Sequence, residues 1–95
     1  MNNKFPDHIG ESSRIVDGGA YDVKDEVCEL HGDSKLIYIQ QMQFSDDGRL
    51  EYRFAYWKKG KGGNWIFARS APFIPPAQLT ILLGKARAKG WEGFT

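Results

Sequence analysis

The chain has 95 residues, of which 41% are hydrophobic and 26% are charged, and its formal net charge is +1. This length supports one hydrophobic core and no second domain, so we expect residues 1–95 to form a single domain. A single cysteine, Cys28, excludes an internal disulfide, and no apolar run is long enough to span a bilayer. We see no secretory signal and no lipidation motif, and we therefore expect a cytoplasmic protein.

The first 34 residues contain only weak structural signals. Residues 1–12 have few large apolar side chains, and we predict that they are disordered. Residues 13–16 can add a short edge strand before the turn sequence Asp17-Gly18-Gly19. Residues 21–30 fit a strand or a short helix, and we favour the helix because three consecutive polar residues, 24–26, break the alternation of a strand.

The clearest pattern lies in residues 35–70, where three alternating stretches separated by turn sequences predict an antiparallel meander. We place Asp46, Asp47 and Gly48 in a three-residue loop with Gly48 in the left-handed conformation, which pairs Phe44 with Leu50. A two-residue Asp-Gly turn would scatter the large apolar side chains over both faces of the sheet. The chosen register gathers one core face, which consists of Leu36, Tyr38, Met42, Phe44, Leu50, Tyr52, Phe54 and Tyr56.

A helix is predicted for residues 76–89, where leucines and alanines follow the i, i+3, i+4, i+7 spacing. Proline suits its first position, and Gly90 is its predicted end. Gly84 in the helix interior suggests a close approach to Ala68 or Ser70 of the sheet. The predicted fold is therefore α+β, an antiparallel meander of three or four strands with the C-terminal helix packed on one face.

The charges are unevenly distributed along the chain. Residues 1–47 hold four basic and ten acidic residues, whereas residues 48–95 hold nine basic and two acidic residues. The acidic half can neutralise the basic half within one fold, or the basic half can meet a polyanion.

The second face of the predicted sheet collects arginine, glutamine and tryptophan side chains. Guanidinium groups pair with phosphates or guanine edges, and aromatic rings stack on unpaired bases. We therefore predict a non-enzymatic binding module that binds DNA or RNA through Arg53, Trp57, Lys58, Lys59, Lys61, Trp65 and Arg69. Two alternatives remain open for the same face. The N-terminal residues can cover it as a second core, or a protein partner or second copy of the chain can bury Trp57, Trp65 and Phe67.

The order of a three-stranded antiparallel meander followed by one helix is similar to that of the AP2 and integrase-arm type of DNA-binding domain. The resemblance spans about residues 35–90 and rests on topology together with Arg53, Trp57, Trp65 and Arg69, without a family motif. It implies a sheet laid into the major groove, with arginine and tryptophan on the strands.

Metal and catalytic sites have little support in the sequence. Cys28 and His31 would share one face of a helix at a metal-binding spacing, but only His8 and scattered carboxylates could complete the site. Cys28 with His8 or His31 is the one available pairing of nucleophile and base. We predict no enzyme activity, no metal, no cofactor, no membrane contact and no small-molecule ligand.

Overall fold

The computed structural model describes residues 5–14 and 19–94. Within these ranges the chain forms a five-stranded antiparallel sheet, curled as a half-barrel, and one C-terminal helix. The elements are β1 (Ser12–Arg14), β2 (Ala20–His31), β3 (Lys35–Phe44), β4 (Leu50–Lys59), β5 (Trp65–Phe67) and α1 (Pro76–Ala88). The strands are adjacent in chain order. The α+β class and the meander are thus confirmed, with five strands in place of three or four.

The segment for which we favoured a helix, residues 21–30, belongs to the long strand β2, so that prediction is wrong. The pairing of β2 with β3 shifts register between Val23 and Asp25. The extra residue of this β-bulge, Lys24, is exposed, while Val23 and Val27 are buried on opposite faces of the sheet. The short edge strand predicted at 13–16 appears as β1, and the rest of that segment and of its turn, residues 15–18, lies outside the described residues.

The hairpin between β3 and β4 has a four-residue loop, 45–48. Phe44 donates its N–H to the carbonyl of Arg49 at 3.0 Å, and Gly48 donates its N–H to the carbonyl of Phe44 at 2.9 Å. Gly48 has the expected left-handed conformation, with φ +75°. However, Leu50 pairs with Gln43 instead of Phe44, so the predicted register is wrong by one residue and the side chains of β3 lie on the faces opposite to those predicted.

Both faces of the sheet carry a core. On the helix face, which α1 covers, Val27, Ile37 and Ile39 pack against Leu82 and Ala86 of the helix. On the opposite face, which we call the N-terminal face because Phe5, Pro6 and His8 of the N-terminal segment (residues 5–11) contact it, the buried cluster comprises Leu36, Tyr38, Ala55 and Trp57.

The predicted core face is therefore divided between the two sides of the sheet. Tyr52 and Tyr56 of β4 pack on the helix side, as predicted. The predicted partners from β3 lie on the N-terminal face, and Phe54 remains 38% exposed.

In the pairing of β4 with β5, Trp57 pairs with Phe67 instead of Trp65. This shift of two residues preserves the faces, so Trp57, Trp65 and Phe67 share one side of the sheet as predicted.

The helix α1 ends one residue before the predicted limit, and Gly90 follows it with φ +75° and donates its N–H to the carbonyl of Arg87. A Cβ at Gly84 would meet nothing within 4 Å, so the predicted close approach to the sheet is wrong. In residues 5–14 and 19–94, the structure contains no helix of sufficient length and apolarity to cross a membrane.

Candidate functional site

The N-terminal segment covers Trp57. The His8 ring stacks on the Trp57 indole with a centroid distance of 4.1 Å and an interplanar angle of 15°. The hydroxyl of Tyr38 donates to the carbonyl of Pro6 at 2.6 Å, which fixes the chain just before His8. Trp57 is consequently only 9% exposed, and its ring is not available to stack on a base. Of residues 1–12, for which we predict disorder, the structure describes residues 5–12, and Pro6 and His8 make these contacts.

Arg53 is held by a network of polar side chains on the same face. Its guanidinium donates to Gln40 Oε1 at 2.6 and 3.1 Å and to the hydroxyl of Tyr21 at 3.2 Å. The amide of Gln40 in turn donates to Glu26 Oε1 at 2.9 Å, and Glu26 Oε2 accepts the backbone N–H of His8. Charged groups in such a network are restrained by several partners at once. The side chain of Arg53 therefore contributes to the structure of the N-terminal face.

A cleft of about 380 Å³ lies between the N-terminal segment and the end of β4. Arg53, Trp57 and Phe67 line it on the sheet side, and His8 and Glu11 line it on the side of the N-terminal segment. The absence of a small-molecule ligand remains a prediction.

A second group of cations lies where β3 begins and β4 ends. Lys35 and Lys58 are directly opposite each other on neighbouring strands, and His31 pairs with Lys35 on the other side. The Lys35 ammonium lies 4.8 Å from the centroid of the Tyr56 ring. Like charges opposite each other on a sheet destabilise it. This row of basic side chains would therefore be stabilised by an external anion.

The β4–β5 hairpin carries aromatic side chains at the same end of the sheet, on the opposite face from Lys35 and Lys58. Lys59 and Trp65 form a cross-strand pair, and the ammonium lies 5.1 Å from the centroid of the indole. Phe67 is 44% exposed and lies beside Trp57, with ring centroids 5.1 Å apart. We call Lys35, Lys58, Lys59, Lys61 and Arg69, together with Trp65 and Phe67, the basic end of the sheet. Among the described residues, none of its five cations forms an ion pair with a carboxylate.

Five of the seven predicted site residues thus belong to the basic end, and Arg53 and Trp57 lie in the cleft instead. The prediction omitted Lys35 and placed Phe67 only among the residues of a protein interface. The sequence contained a signal for Lys35, because both the predicted and the observed pairing of β3 with β4 place it opposite a lysine, Lys59 or Lys58.

Cys28 lies in strand β2 and packs against the core of the N-terminal face. Burial raises the pKa of its thiol, while the neighbouring Lys85 lowers it to a smaller extent, so the protonated form is favoured. Cys28 and His31 are three residues apart on a strand and point to opposite faces, so the shared helix face that we considered does not exist. Within the part of the chain that the structure describes, no three potential ligands group around a metal position.

No protein-family model, no curated protein and no solved structure matches the chain. The resemblance to the AP2 and integrase-arm domains therefore rests on element order alone. Two of its supporting residues, Arg53 and Trp57, face the N-terminal segment instead of an open sheet surface.

Proposed function

We propose that this protein is a non-enzymatic binding module that binds single-stranded nucleic acid at the basic end of the sheet. The observation that carries the proposal is a set of five cations, four exposed and Lys35 half-buried, that lack carboxylate partners among the described residues. In the acidic half of the chain, Glu29 and Asp25 pair with Lys85 and Lys89 of the helix region at 2.9 and 3.1 Å. Carboxylates of the acidic half thus pair with two of the three cations of the helix region, whereas no carboxylate of the described residues pairs with the basic end.

Aromatic exposure supports a single-stranded ligand. Phe67 presents an accessible ring beside Trp65, and Lys59 and Arg53 flank the two rings. Base stacking on an aromatic ring needs an unpaired base, whereas phosphate contacts need only positive charge. Lys59 lies on the same face as the two rings and offers a phosphate contact beside them, while Lys35 and Lys58 add positive charge on the other face of the same end of the sheet.

The proposal is tested by titrating a fluorescein-labelled oligothymidylate with the protein and following fluorescence anisotropy at several salt concentrations. Each phosphate contact contributes about 0.7 to the slope of log K against log salt for a single strand. We expect Lys58→Ala to weaken binding and to reduce this slope by about 0.7. Arg87→Ala, which removes one exposed cation from the helix, is the matched control and should leave the slope unchanged.

The aromatic contribution is tested with a second pair of variants. Phe67→Ala should weaken binding by roughly 1 to 3 kcal/mol if a base stacks on the ring. Phe73→Ala removes an 89% exposed ring that is not one of the two rings of the basic end, and it keeps the carbonyl that accepts from Lys35, so it should bind as the parent does. Tight binding whose affinity does not depend on salt, or an equal loss of affinity in Phe67→Ala and Phe73→Ala, would contradict the proposal. If the chain bound a protein but no nucleic acid, the alternative in which a protein partner buries Trp65 and Phe67 would be favoured.

A further inference from the structure

Much of strand β4 forms an open edge of the sheet. β5 pairs only with Trp57–Lys59, and Ala68 donates one further backbone hydrogen bond to the carbonyl of Tyr56. Among the described residues, no strand pairs with residues 50–55 on that side. Because Phe44 and Arg49 form a hydrogen-bonded pair, the alternation of an antiparallel ladder directs the N–H and C=O groups of residues 50, 52 and 54 outward.

This edge lacks two of the features that usually protect an edge strand. Residues 50–55 contain no proline and no register shift within their pairing to β3, and their two charged residues, Glu51 and Arg53, are of opposite sign. The opposite side of the sheet differs, because β2 carries a bulge at Lys24 and the Lys85 ammonium donates to the carbonyl of Cys28 at 2.7 Å. An unprotected edge of this kind is a template for pairing with another strand.

An apolar groove adjoins the open edge on the helix face. Phe54, Phe73, Ile74 and Leu79 line it, and its volume is about 550 Å³. Phe54 and Phe73 are 38% and 89% exposed. A strand docked along the edge would therefore gain apolar contacts in addition to backbone hydrogen bonds.

We propose that the occupant of this edge is β4 of a second copy of the chain, in an antiparallel two-fold pairing with Tyr52 opposite Tyr52. This register places Glu51 opposite Arg53 of the second copy, twice by symmetry. On the other face, Leu50 lies opposite Phe54, again twice. The paired edges form about six backbone hydrogen bonds and join the two sheets into one.

The neighbouring symmetric registers are disfavoured by charge. A shift of the symmetry centre to residue 51 opposes two glutamates, and a shift to residue 53 opposes two arginines, both at the short distance of a pair without backbone hydrogen bonds. A centre at residue 54 requires the backbone of Tyr56, which Ala68 already occupies. In the proposed register the side chains of Glu51 and Arg53 can each form a further hydrogen bond. Arg53 uses three of its five N–H donors, and Glu51 accepts from Arg49 through Oε2 only.

The proposal is tested by sedimentation equilibrium over a range of protein concentrations, where the parent chain is expected to dimerise. Glu51→Arg alone opposes two arginines across the interface, and Arg53→Glu alone opposes two glutamates. Each should raise the dimer dissociation constant at least tenfold. An equimolar mixture of the two variants restores both opposite-charge pairs, and it should form a heterodimer with parent-like affinity. A mixture that stays monomeric although both variants are folded would overturn the register.

Arg53 also bonds to Gln40, so a second variant tests the edge without touching that network. Phe54→Lys places an ammonium group on the edge and should abolish dimerisation. Ile81→Lys makes the same change at a 41% exposed residue of the helix and should leave the dimer intact. A parent chain that is monomeric at all concentrations, or a dimer unaffected by Phe54→Lys, would overturn the proposal. Both results are independent of nucleic-acid binding at the basic end.

Discussion

At the scale of single residues, Asp25 connects the sheet to the end of the helix. Its carboxylate accepts hydrogen bonds from the indole N–H of Trp91 at 3.0 Å, from Lys89 at 3.1 Å and from the backbone N–H of Glu26 at 2.9 Å. Burial raises the pKa of Asp25, but these three donors together lower it more, so its pKa falls below the ordinary value of 3.8. The ionised carboxylate is therefore the form that stabilises the fold.

This shift predicts how stability depends on pH. Because the folded pKa is the lower one, the contribution of Asp25 is complete above about pH 5 and is lost as the pH falls through the folded pKa. Asp25→Asn should lower the free energy of unfolding by roughly 1 kcal/mol near neutral pH, since a neutral amide accepts weaker hydrogen bonds. Urea unfolding at several pH values should show the gap between parent and variant closing at acidic pH.

The exposed turn residue Asp33 provides the control for this series. Asp33→Asn should follow the parent across the same pH range, because the structure gives its side chain no partner among the described residues. A gap between parent and Asp25→Asn that stayed constant down to the most acidic point would show that the charge of Asp25 does not contribute.

At the scale of elements, the sequence predicts a turn with a left-handed glycine but not the length of its loop. Gly48 takes the left-handed position in a three-residue or a four-residue loop, so the glycine alone does not set the register. We chose the register by assuming that one face of β3 is buried. Residues 36–42 are buried without interruption, because β3 is the central strand between two cores, and burial on both faces does not distinguish the two registers.

The helix that we favoured for residues 21–30 is wrong for a different physical reason. The polar residues 24–26 do not end the strand, because a bulge accommodates Lys24 and partners distant in sequence satisfy Asp25 and Glu26. Those partners include Trp91 and Gln40, 66 and 14 residues away. A local pattern contains no information about such contacts, so a strand with charged interior positions resembles an amphipathic helix.

The surroundings of Gly84 in the helix predict that Gly84→Ala stabilises the protein. A methyl group there meets no atom within 4 Å, and alanine is favoured over glycine inside a helix by up to about 1 kcal/mol. Gly84→Ala should therefore raise the melting temperature by about 4 to 8 °C in a domain of this size, as measured by thermal circular dichroism.

Gly48→Ala adds the same methyl group in equally open space, but at φ +75°, where a side chain is strained. It should lower the free energy of unfolding by about 1 kcal/mol. Destabilisation by Gly84→Ala would mean that the helix packs more tightly than the structure shows.

At the scale of the whole molecule, ion pairs within the fold neutralise only part of the charge asymmetry of the sequence. Lysines of the helix region pair with carboxylates of β2, as expected if the acidic half neutralises the basic half. The cations of the basic end have no such pairing among the described residues, as expected if the basic half meets a polyanion. The sequence left both outcomes open; internal pairing is observed at the helix, and binding of a polyanion at the basic end is our proposal.

The N-terminal face is likewise partly covered by the chain itself and partly accessible. Of the three occupants considered for it, the N-terminal segment is the one seen in the structure, and it covers Trp57 but leaves Phe67 accessible. Cover by the N-terminal residues was one of the alternatives open from the sequence, but the contact of His8 with Trp57 and the network around Arg53 were not predicted, because both depend on contacts between distant parts of the chain. The proposed binding surface is therefore the end of the sheet instead of its whole face.

We propose that nucleic acid binds at the basic end, and amide chemical shifts test this proposal most directly. Oligothymidylate is titrated into ¹⁵N-labelled protein, and the shift changes are mapped onto the chain. We predict the largest changes at Lys35 and across residues 58–69, with small changes in β2 and α1. Changes concentrated in residues 50–55 or in the cleft beside His8, or the absence of any change at low salt, would contradict the account.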